Sequence, residues 1–433
     1  MSVSPAVAAD SRASLARVFE AAVARAHPDL CLPPHLPEPP ASGRVIVLAT
    51  GKAGASLAAA AARHYAERGL GPDRLTGLAV CRYGYAADAG PIPVVEAGHP
   101  VPDEAGVAAT RRTLTFAESA TADDLVLALI SGGGSANWIA PAGELTLADK
   151  QAVTKALLRC GATIGEINCV RKRLSLIKGG RLAAMAAPAQ VVALAISDVP
   201  GDDPAAIASG PTVPDPTTTA DARAIVATYG LDLPPAARRL LDDPANETPK
   251  PGDPCFSGSS FTIVARPADA LAAAAEAASA AGYEPVLLGA DLEGEAREVA
   301  RAQAALAREA KAAGRRVALL SGGELTVTIR GEGRGGPNQE YALALALALD
   351  GAEGIAALAG DTDGTDGGSG ASTDPAGAFV DAATLARAAA AGLDARRMLD
   401  DNDSTAFFEA LSDLYVPGPT RTNVNDCRII LVD

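Results

Sequence analysis

Five segments of the chain run from an apolar stretch directly into a loop of Gly, Ser, Thr and Asp. They are VIVLATGKAG (45–54), LVLALISGGGSAN (125–137), VVALAISDVPGDD (191–203), VALLSGGE (317–324) and IAALAGDTDGTDG (355–367). Near-continuous apolar strands are typical of parallel sheets buried on both faces, and ligands of such sheets bind beyond the carboxyl ends of the strands. The loops are therefore expected to lie along a binding edge. Their backbone N–H groups, carboxylates and single Lys suit phosphate and metal rather than an apolar ligand.

The SGGGSAN loop follows its strand as a phosphate-binding loop would. Its glycines let the backbone approach a ligand closely, and successive N–H groups can hold an anion. A tight turn is the alternative interpretation, and no Walker A sequence occurs in the chain. The candidate phosphate or substrate ligands here are Ser131, Gly132, Gly133, Gly134, Ser135 and Asn137.

Lys52 lies just after the first apolar strand, at a predicted helix N-terminus. The helix dipole disfavours a cation at this position. A lysine there is therefore more easily explained if it binds an anion, although a lysine that simply extends into solvent is the alternative. Acidic residues follow two other strands, with Asp198 after one and Asp361 and Asp366 after another. Carboxylates at strand ends can hold Mg²⁺, but they can also cap helices or close Asx-turns.

The segment GEGRGGPNQE (331–340) satisfies the dinucleotide pattern G-x-G-x-x-G, and Asp361 would then be the acid that binds the ribose. The preceding LTVTIR alternates polar and apolar residues, which predicts a half-exposed antiparallel edge strand after a hairpin instead of a buried first strand. In the alternative role, Arg334 grips a phosphate or carboxylate, with Gly335, Asn338 and Gln339 beside it at the start of a helix.

A basic cluster of Arg171, Lys172, Arg173 and Lys178 belongs to a helix expected to start at the Thr163–Glu166 capping box and to stop at residues 179–180. A solvated face is the simpler interpretation, while Arg171 and Lys178 are kept as candidate phosphate ligands. A second capping box is expected at Thr146–Asp149. The four histidines fall in no triad or zinc-site spacing, which gives hydrolase triads and zinc chemistry little support.

The composition bounds the class of protein. The chain has 433 residues, 48% hydrophobic and only 3% aromatic, with a net charge of −15. Two domains with aliphatic α/β cores are expected, and a general nucleic-acid or membrane surface is not. The six cysteines are scattered, as in a reducing cytosol. No signal sequence or membrane span is evident, so a cytoplasmic protein is expected, and a homodimer is compatible with the sequence.

Strand and helix patterns alternate along both halves of the chain, and a Pro-rich, Asp-rich stretch near residues 242–260 separates them. We therefore predict an α/β protein of two Rossmann-like domains with mainly parallel sheets that face a cleft. The expected division is 1–250 for the first domain and 251–433 for the second.

In these motifs the chain resembles the glycerate 2-kinase family, whose C-terminal half is the MOFRL domain. Members of this family are also labelled hydroxypyruvate reductase. The resemblance extends over nearly the whole chain. It rests on the loops above together with EAGHPVPDEAG (96–106), INCVRKRLSLIKGGRLA (167–183), SDVPGDDPAAIASGPTVPDPTT (197–218), DDNDS (400–404) and GPTRTNVND (418–426). Where some members carry Arg, this sequence has Pro337.

The resemblance implies Mg²⁺-dependent transfer of phosphate from ATP to the 2-hydroxyl of D-glycerate. Lys52 and Arg334 match the family's lysine and loop arginine and would neutralise charge. Asp198 would act as base or metal ligand near the hydroxyl, and Asp361 and Asp366 are further candidate metal ligands. The alternatives are an NAD(P)H-dependent hydroxypyruvate reductase built on the 331–336 glycines, and a sugar-phosphate sensor without catalysis.

Overall fold

The computed structural model describes residues 5–368, 371 and 373–433, with side chains from residue 11 onward. Residues 369, 370 and 372, at the end of the Gly-rich loop expected after the last of the five strands, lie outside the described residues. The strands are β1 (Val45–Thr50), β2 (Leu75–Arg82), β3 (Val94–Ala97), β4 (Leu125–Ile130), β5 (Gln190–Ile196), β6 (Ser260–Ala265), β7 (Glu284–Gly289), β8 (Val317–Ser321), β9 (Ile355–Asp361), β10 (Gly377–Val380), β11 (Leu414–Tyr415) and β12 (Asp426–Val432).

The α-helices are interspersed with these strands along the whole chain. They are α1 (Pro5–Arg25), α2 (Pro28–Cys31), α3 (Gly54–Glu67), α4 (Glu104–Glu118), α5 (Gly134–Asn137), α6 (Leu147–Arg159), α7 (Ile164–Arg173), α8 (Arg181–Ala186), α9 (Thr219–Thr228), α10 (Pro235–Asp242), α11 (Pro267–Ala280), α12 (Ala296–Ala312), α13 (Pro337–Leu349), α14 (Thr384–Ala390), α15 (Ala395–Asp400) and α16 (Ser404–Leu411). None of the helices in the described ranges is long and apolar enough to cross a lipid bilayer.

The chain folds into two compact units, one of residues 31–264 and one of residues 1–30 with 265–433. This division differs from the expected one at residue 250 in two ways. The N-terminal helix α1 packs on α11, β9 and β12 and so joins the second half of the chain. Strand β6 extends the sheet of the first half, which moves the boundary past the linker.

The unit of residues 31–264 is built on a sheet with the strand order β3-β2-β1-β4-β5-β6. Strands β1 to β5 pair in parallel. Every residue of β1 and β4 is buried, which confirms the prediction drawn from their continuous apolar sequences. This is the strand order of a Rossmann fold, and its direction reverses between β1 and β4. The loops that follow these two strands therefore lie where such sheets bind ligands.

The second unit contains a sheet with the order β11-β10-β9-β12-β8-β7. Only β7 and β8 pair in parallel. Strand β12 is inserted antiparallel between β8 and β9, and β10 runs antiparallel to both β9 and β11. The prediction of an α/β protein is confirmed, but this sheet is more mixed than expected. Strands β8 and β9 still point the same way, since both oppose β12, so their carboxyl ends share one edge. The start of β12 lies at that edge too, where Asp426 is paired with Asp361.

Candidate active site

The loops after β1 and β4 are joined at the point where the first sheet reverses its strand order. The backbone N–H of Lys52 donates to the carbonyl of Gly132 at 2.8 Å. The hydroxyl of Ser131 accepts from the N–H of Ala53 at 2.9 Å and is buried. Ser131 therefore links the two loops, and the Lys52 backbone is fixed beside the glycine loop while its side chain stays partly exposed.

Glycine is required on both sides of this junction. A Cβ at Gly51, where φ is +99°, would lie 2.4 Å from the carbonyl oxygen of Ser131, a distance that side chains do not reach. Gly133 has φ of +82°, and a Cβ there would meet the ring of His99 at 2.8 Å. Among the described residues, the N–H groups of Gly132 and Gly133 donate no hydrogen bond. Two free amides beside a lysine suit an anionic oxygen.

A short stretch of backbone in the left-handed conformation packs against the glycine loop. Ala208 and Ser209 have φ of 49° and 62°, which is rare for residues other than glycine. The Ser209 hydroxyl is 2.6 Å from that of Ser135 and donates to Asn168 at 3.2 Å. Such strained residues gather at functional sites. Sequence reasoning missed Ser209 and Asn168, although they lie inside the segments 197–218 and 167–183 that carried the family resemblance.

Two buried lysines stand beside the same loop. Lys178 donates to the carbonyl of Ser135 at 2.8 Å, and Lys150 donates to the carbonyl of Leu174 at 2.8 Å. Burial, together with the nearby charge of Arg171, lowers the pKa of Lys150 to about 7. The same causes, with the added charge of Lys150, hold the pKa of Lys178 well below its ordinary value. Lys178 belongs to the predicted site, whereas Lys150 was missed because nothing in LTLADK marks it as buried.

The solvated basic face predicted for residues 171–178 is wrong. Helix α7 ends at Arg173 instead of near residue 179, so Lys178 lies in the following turn. Lys172 and Arg173 point inward and pair with the fully buried Asp215, at 3.3 Å and 2.8 Å. These two cations hold the 210–219 segment to α7, which is a structural role.

His99 and Asp198 complete the surroundings of the loop. The His99 ring covers Gly133, and this position could not be read from histidine spacing because it depends on a contact distant in sequence. Asp198 follows β5 at the same edge of the sheet, two residues beyond the last strand residue, and is partly exposed. Its role as a base or metal ligand stays a prediction.

In the second unit, Arg334 sits on an exposed loop. Its side chain is 69% exposed and lies 3.5 Å from Glu409. An exposed pair at this distance contributes little, so the guanidinium can leave Glu409 for a ligand at small cost. Gly335 is exposed beside it.

Asn338 and Gln339 instead point into the unit. Their backbone N–H groups donate to the two carboxylate oxygens of Asp366 at 3.0 and 2.9 Å, and both side-chain amides donate to Asp366 as well. Asn338 also donates to Asp426 at 2.6 Å. The expected contacts of these residues with substrate do not fit this geometry, because Asp366 caps α13 and the two amides complete that cap.

The hydrogen bonds of Asp366 also affect how well it could bind a metal ion. Both oxygens of Asp366 already accept two hydrogen bonds each. Burial and the neighbouring Asp426 raise the pKa of Asp366 to about 7, which weakens it as a cation ligand. Within the described ranges, no group of three or more acidic, His or Cys residues is arranged to hold a metal ion. Asp361 accepts from the N–H of Asp363 at 2.8 Å and remains partly exposed.

The dinucleotide-like glycines of 331–336 have a packing explanation. Residues 325–330 form no strand, only a single parallel bridge between Thr326 and Glu295, so the expected edge strand and hairpin are absent from this described segment. A Cβ at Gly331 or Gly333 would lie 2.3 to 2.6 Å from atoms of Asp401 or Asp403. The loop thus needs glycine to pack on residues 401–404.

Replacing Gly333 with alanine tests this explanation. The new methyl would lie 2.4 Å from the Cβ of Asp403, so we expect a loss of about 1–3 kcal/mol in the free energy of unfolding. Gly165→Ala is the control, because its Cβ meets nothing within 4 Å in helix α7. Unchanged stability in denaturant melts of Gly333→Ala, with weakened NADH binding, would instead favour a cofactor loop.

Two family models and several known proteins match this chain over most of its length. The family model described as "Domain of unknown function (DUF4147)" matches residues 14–242, and the MOFRL family matches residues 317–426. A D-glycerate 2-kinase of Thermotoga maritima is 40% identical over 396 residues, covering 90% of this chain and 91% of that protein. An Agrobacterium vitis protein with the provisional name hydroxypyruvate reductase is 52% identical, covering 98% and 94%.

The folds agree as well. A crystal structure of glycerate kinase from T. maritima matches with a TM-score of 0.85 and 37% identity, covering 98% of this chain and 100% of that one. The first family model spans more than half of the sequence, and the sequence relatives span nearly all of it. The chain therefore belongs to the glycerate 2-kinase family with a C-terminal MOFRL domain, some members of which are named hydroxypyruvate reductase.

Proposed function

We propose that the protein transfers the terminal phosphoryl group of ATP to the 2-hydroxyl of D-glycerate, giving 2-phosphoglycerate and ADP. The observation that carries the proposal is the junction of the β1 and β4 loops, where Lys52 stands beside two glycine amides that donate no hydrogen bond to any residue the structure describes. The names of the T. maritima relatives supply the substrate.

Phosphoryl transfer depends mainly on positioning and on neutralising charge. In our proposal Lys52 and the Gly132 and Gly133 amides stabilise the oxygens of the transferring group. Asp198 accepts the proton of the attacking 2-hydroxyl or orients it. Arg334 stays a candidate cation for an anionic ligand, since its pairing with Glu409 is weak.

Magnesium fits the residues only as a partner of the nucleotide. Mg²⁺ usually takes one or two carboxylates together with phosphate oxygens and water, so it does not need three protein ligands. Asp198, partly exposed beyond the end of β5, is the carboxylate proposed to hold it, and Asp361 stays a separate candidate at the end of β9. When bound, the ion would neutralise phosphate charge. Asp366 is the weakest of the predicted ligands because its oxygens are already used.

A pair of assays on the purified protein tests the proposal. With D-glycerate and Mg·ATP, we expect ADP and a product that enolase converts to phosphoenolpyruvate without added mutase, which identifies 2-phosphoglycerate. With hydroxypyruvate and NADH or NADPH, we expect no oxidation of the cofactor. Cofactor oxidation without glycerate-dependent ADP formation would establish the reductase, and binding of phosphorylated sugars without any turnover would establish a sensor.

A further inference from the structure

Three cations from separate parts of one unit come together beside the glycine loop. Lys150 comes from α6, Arg171 from α7 and Lys178 from the turn after α7. The two lysines are 4% and 0% exposed. Each ammonium group donates one hydrogen bond, to the carbonyl of Leu174 or of Ser135, although it can donate three.

The described part of the chain places no carboxylate in this cluster. The charges that act on Lys150 and Lys178 are those of other cations, with Arg171 acting on both and Lys150 acting on Lys178. Buried charges are normally paired with an opposite charge. The free energy lost when a charge is removed from water is much larger than the free energy gained from one hydrogen bond to a carbonyl. The neighbouring Lys172 and Arg173 follow that rule through Asp215. The cluster of Lys150, Arg171 and Lys178 does not, and it therefore lacks an anion.

The position of the cluster indicates where that anion comes from. Lys178 is bonded to Ser135, whose hydroxyl meets Ser209, so the cluster adjoins the site built on the glycine loop. Ser135 and Arg171 are both partly exposed, so the cluster reaches the protein surface at these two residues.

We propose that Lys150, Arg171 and Lys178 form a binding site for a phosphoryl dianion next to the glycine loop, with Lys150 as a ligand-binding residue. A dianion would favour the charged form of both lysines, so its binding would take up protons from solution. The site itself follows from the burial and hydrogen bonds of the two lysines together with the nearby charge of Arg171. Its assignment to the nucleotide or to the phosphorylated product rests on the proposed function.

Isothermal titration calorimetry with inorganic phosphate, 2-phosphoglycerate and ADP tests the site. At about pH 8, most Lys150 side chains are neutral, so we expect net proton uptake, seen as a binding enthalpy that changes with the ionisation heat of the buffer. Lys150→Met and Lys178→Met should each weaken binding by about tenfold or more and reduce that uptake. Lys155→Met is the matched control, since Lys155 is exposed on the same helix as Lys150 and should not change affinity.

Stability without ligand separates a binding role from a structural one. The pKa of Lys150 is about 7 in the folded protein and near 10.5 in the unfolded chain. The unfolded chain binds the extra proton between these values, so this lysine destabilises the fold most at low pH, and stability rises as the pH rises from 7 toward 10.5. Lys150→Met should therefore be more stable than wild type at pH 7, and its stability should change less with pH. It should also bind phosphate less well.

The outcomes differ clearly. Tightest binding of 2-phosphoglycerate assigns the site to the product, and tightest binding of ADP assigns it to the nucleotide; either supports the proposal. If folded Lys150→Met and Lys178→Met bind all three ligands as wild type does, or if wild type binds none of them, the proposal is overturned. Because these are binding measurements, a protein that binds phosphate but fails the glycerate assay contradicts only the proposed function.

Discussion

Replacing Lys52 with alanine is expected to lower kcat for glycerate phosphorylation by about a hundredfold to a thousandfold. Removing one preorganised charge or donor at the reacting group typically costs about 2.7–4 kcal/mol of transition-state stabilisation. Lys52 is the cation held directly beside the glycine loop, through its own backbone bond to Gly132. Steady-state kinetics with saturating Mg·ATP and varied glycerate would measure the loss.

The fold should survive this substitution. The bond to Gly132 uses the backbone N–H of Lys52, which alanine keeps, and the side chain is partly exposed. The melting temperature of Lys52→Ala should therefore stay near that of wild type. Lys155→Ala, an exposed lysine elsewhere in the same unit, is the control and should retain full turnover. Near-normal turnover of a folded Lys52→Ala protein would remove Lys52 from the proposed mechanism.

The site on the first unit was largely predictable, because short-range sequence signals determine it. The continuous apolar stretches of β1 and β4 required a buried parallel sheet, and the loops after them then had to meet. The capping boxes at Thr146–Asp149 and Thr163–Glu166 are also confirmed, since a cap depends only on residues three positions apart.

Features that depend on contacts between residues far apart in the sequence could not be predicted. Residues 171–178 looked like a solvated face because Asp215, the partner of Lys172 and Arg173, lies more than forty residues away. Asn338 and Gln339 looked like ligand-binding groups because the capping Asp366 comes from another loop. Similarly, nothing local in DCRIILV shows that β12 is inserted between β8 and β9, which makes the second sheet mixed.

Breaking the buried pairing of Arg173 with Asp215 should strongly destabilise its unit. Both residues are fully buried, and the guanidinium lies 2.8 Å from one Asp215 oxygen. It also donates to the carbonyl of Cys169 at 2.9 Å and to the hydroxyl of Thr217 at 2.7 Å. Burial alone would raise the pKa of Asp215, but the charges of Lys172 and Arg173 hold it below its ordinary value.

We therefore expect Arg173→Met to lower the free energy of unfolding by about 3–5 kcal/mol in urea melts, because it leaves the buried Asp215 with the more distant Lys172 and the hydroxyls of Thr217 and Thr248. Arg223→Met provides the contrast. Arg223 and Asp242 form an exposed pair at 3.9 Å, and that substitution should change stability by less than about 1 kcal/mol.

A double-mutant cycle shows whether the loss comes from the pair itself. Asp215→Asn alone should also destabilise strongly, since it leaves the buried Lys172 without its carboxylate and Arg173 with the partly exposed Glu247 at 3.2 Å. The double variant Arg173→Met, Asp215→Asn should be less destabilised than the sum of the single variants, because each partner is costly mainly when the other is missing. Additive losses would mean that Arg173 acts through its contacts with Cys169, Thr217 and Glu247 instead. In that case the position of α7 would not depend on the pairing of Arg173 with Asp215.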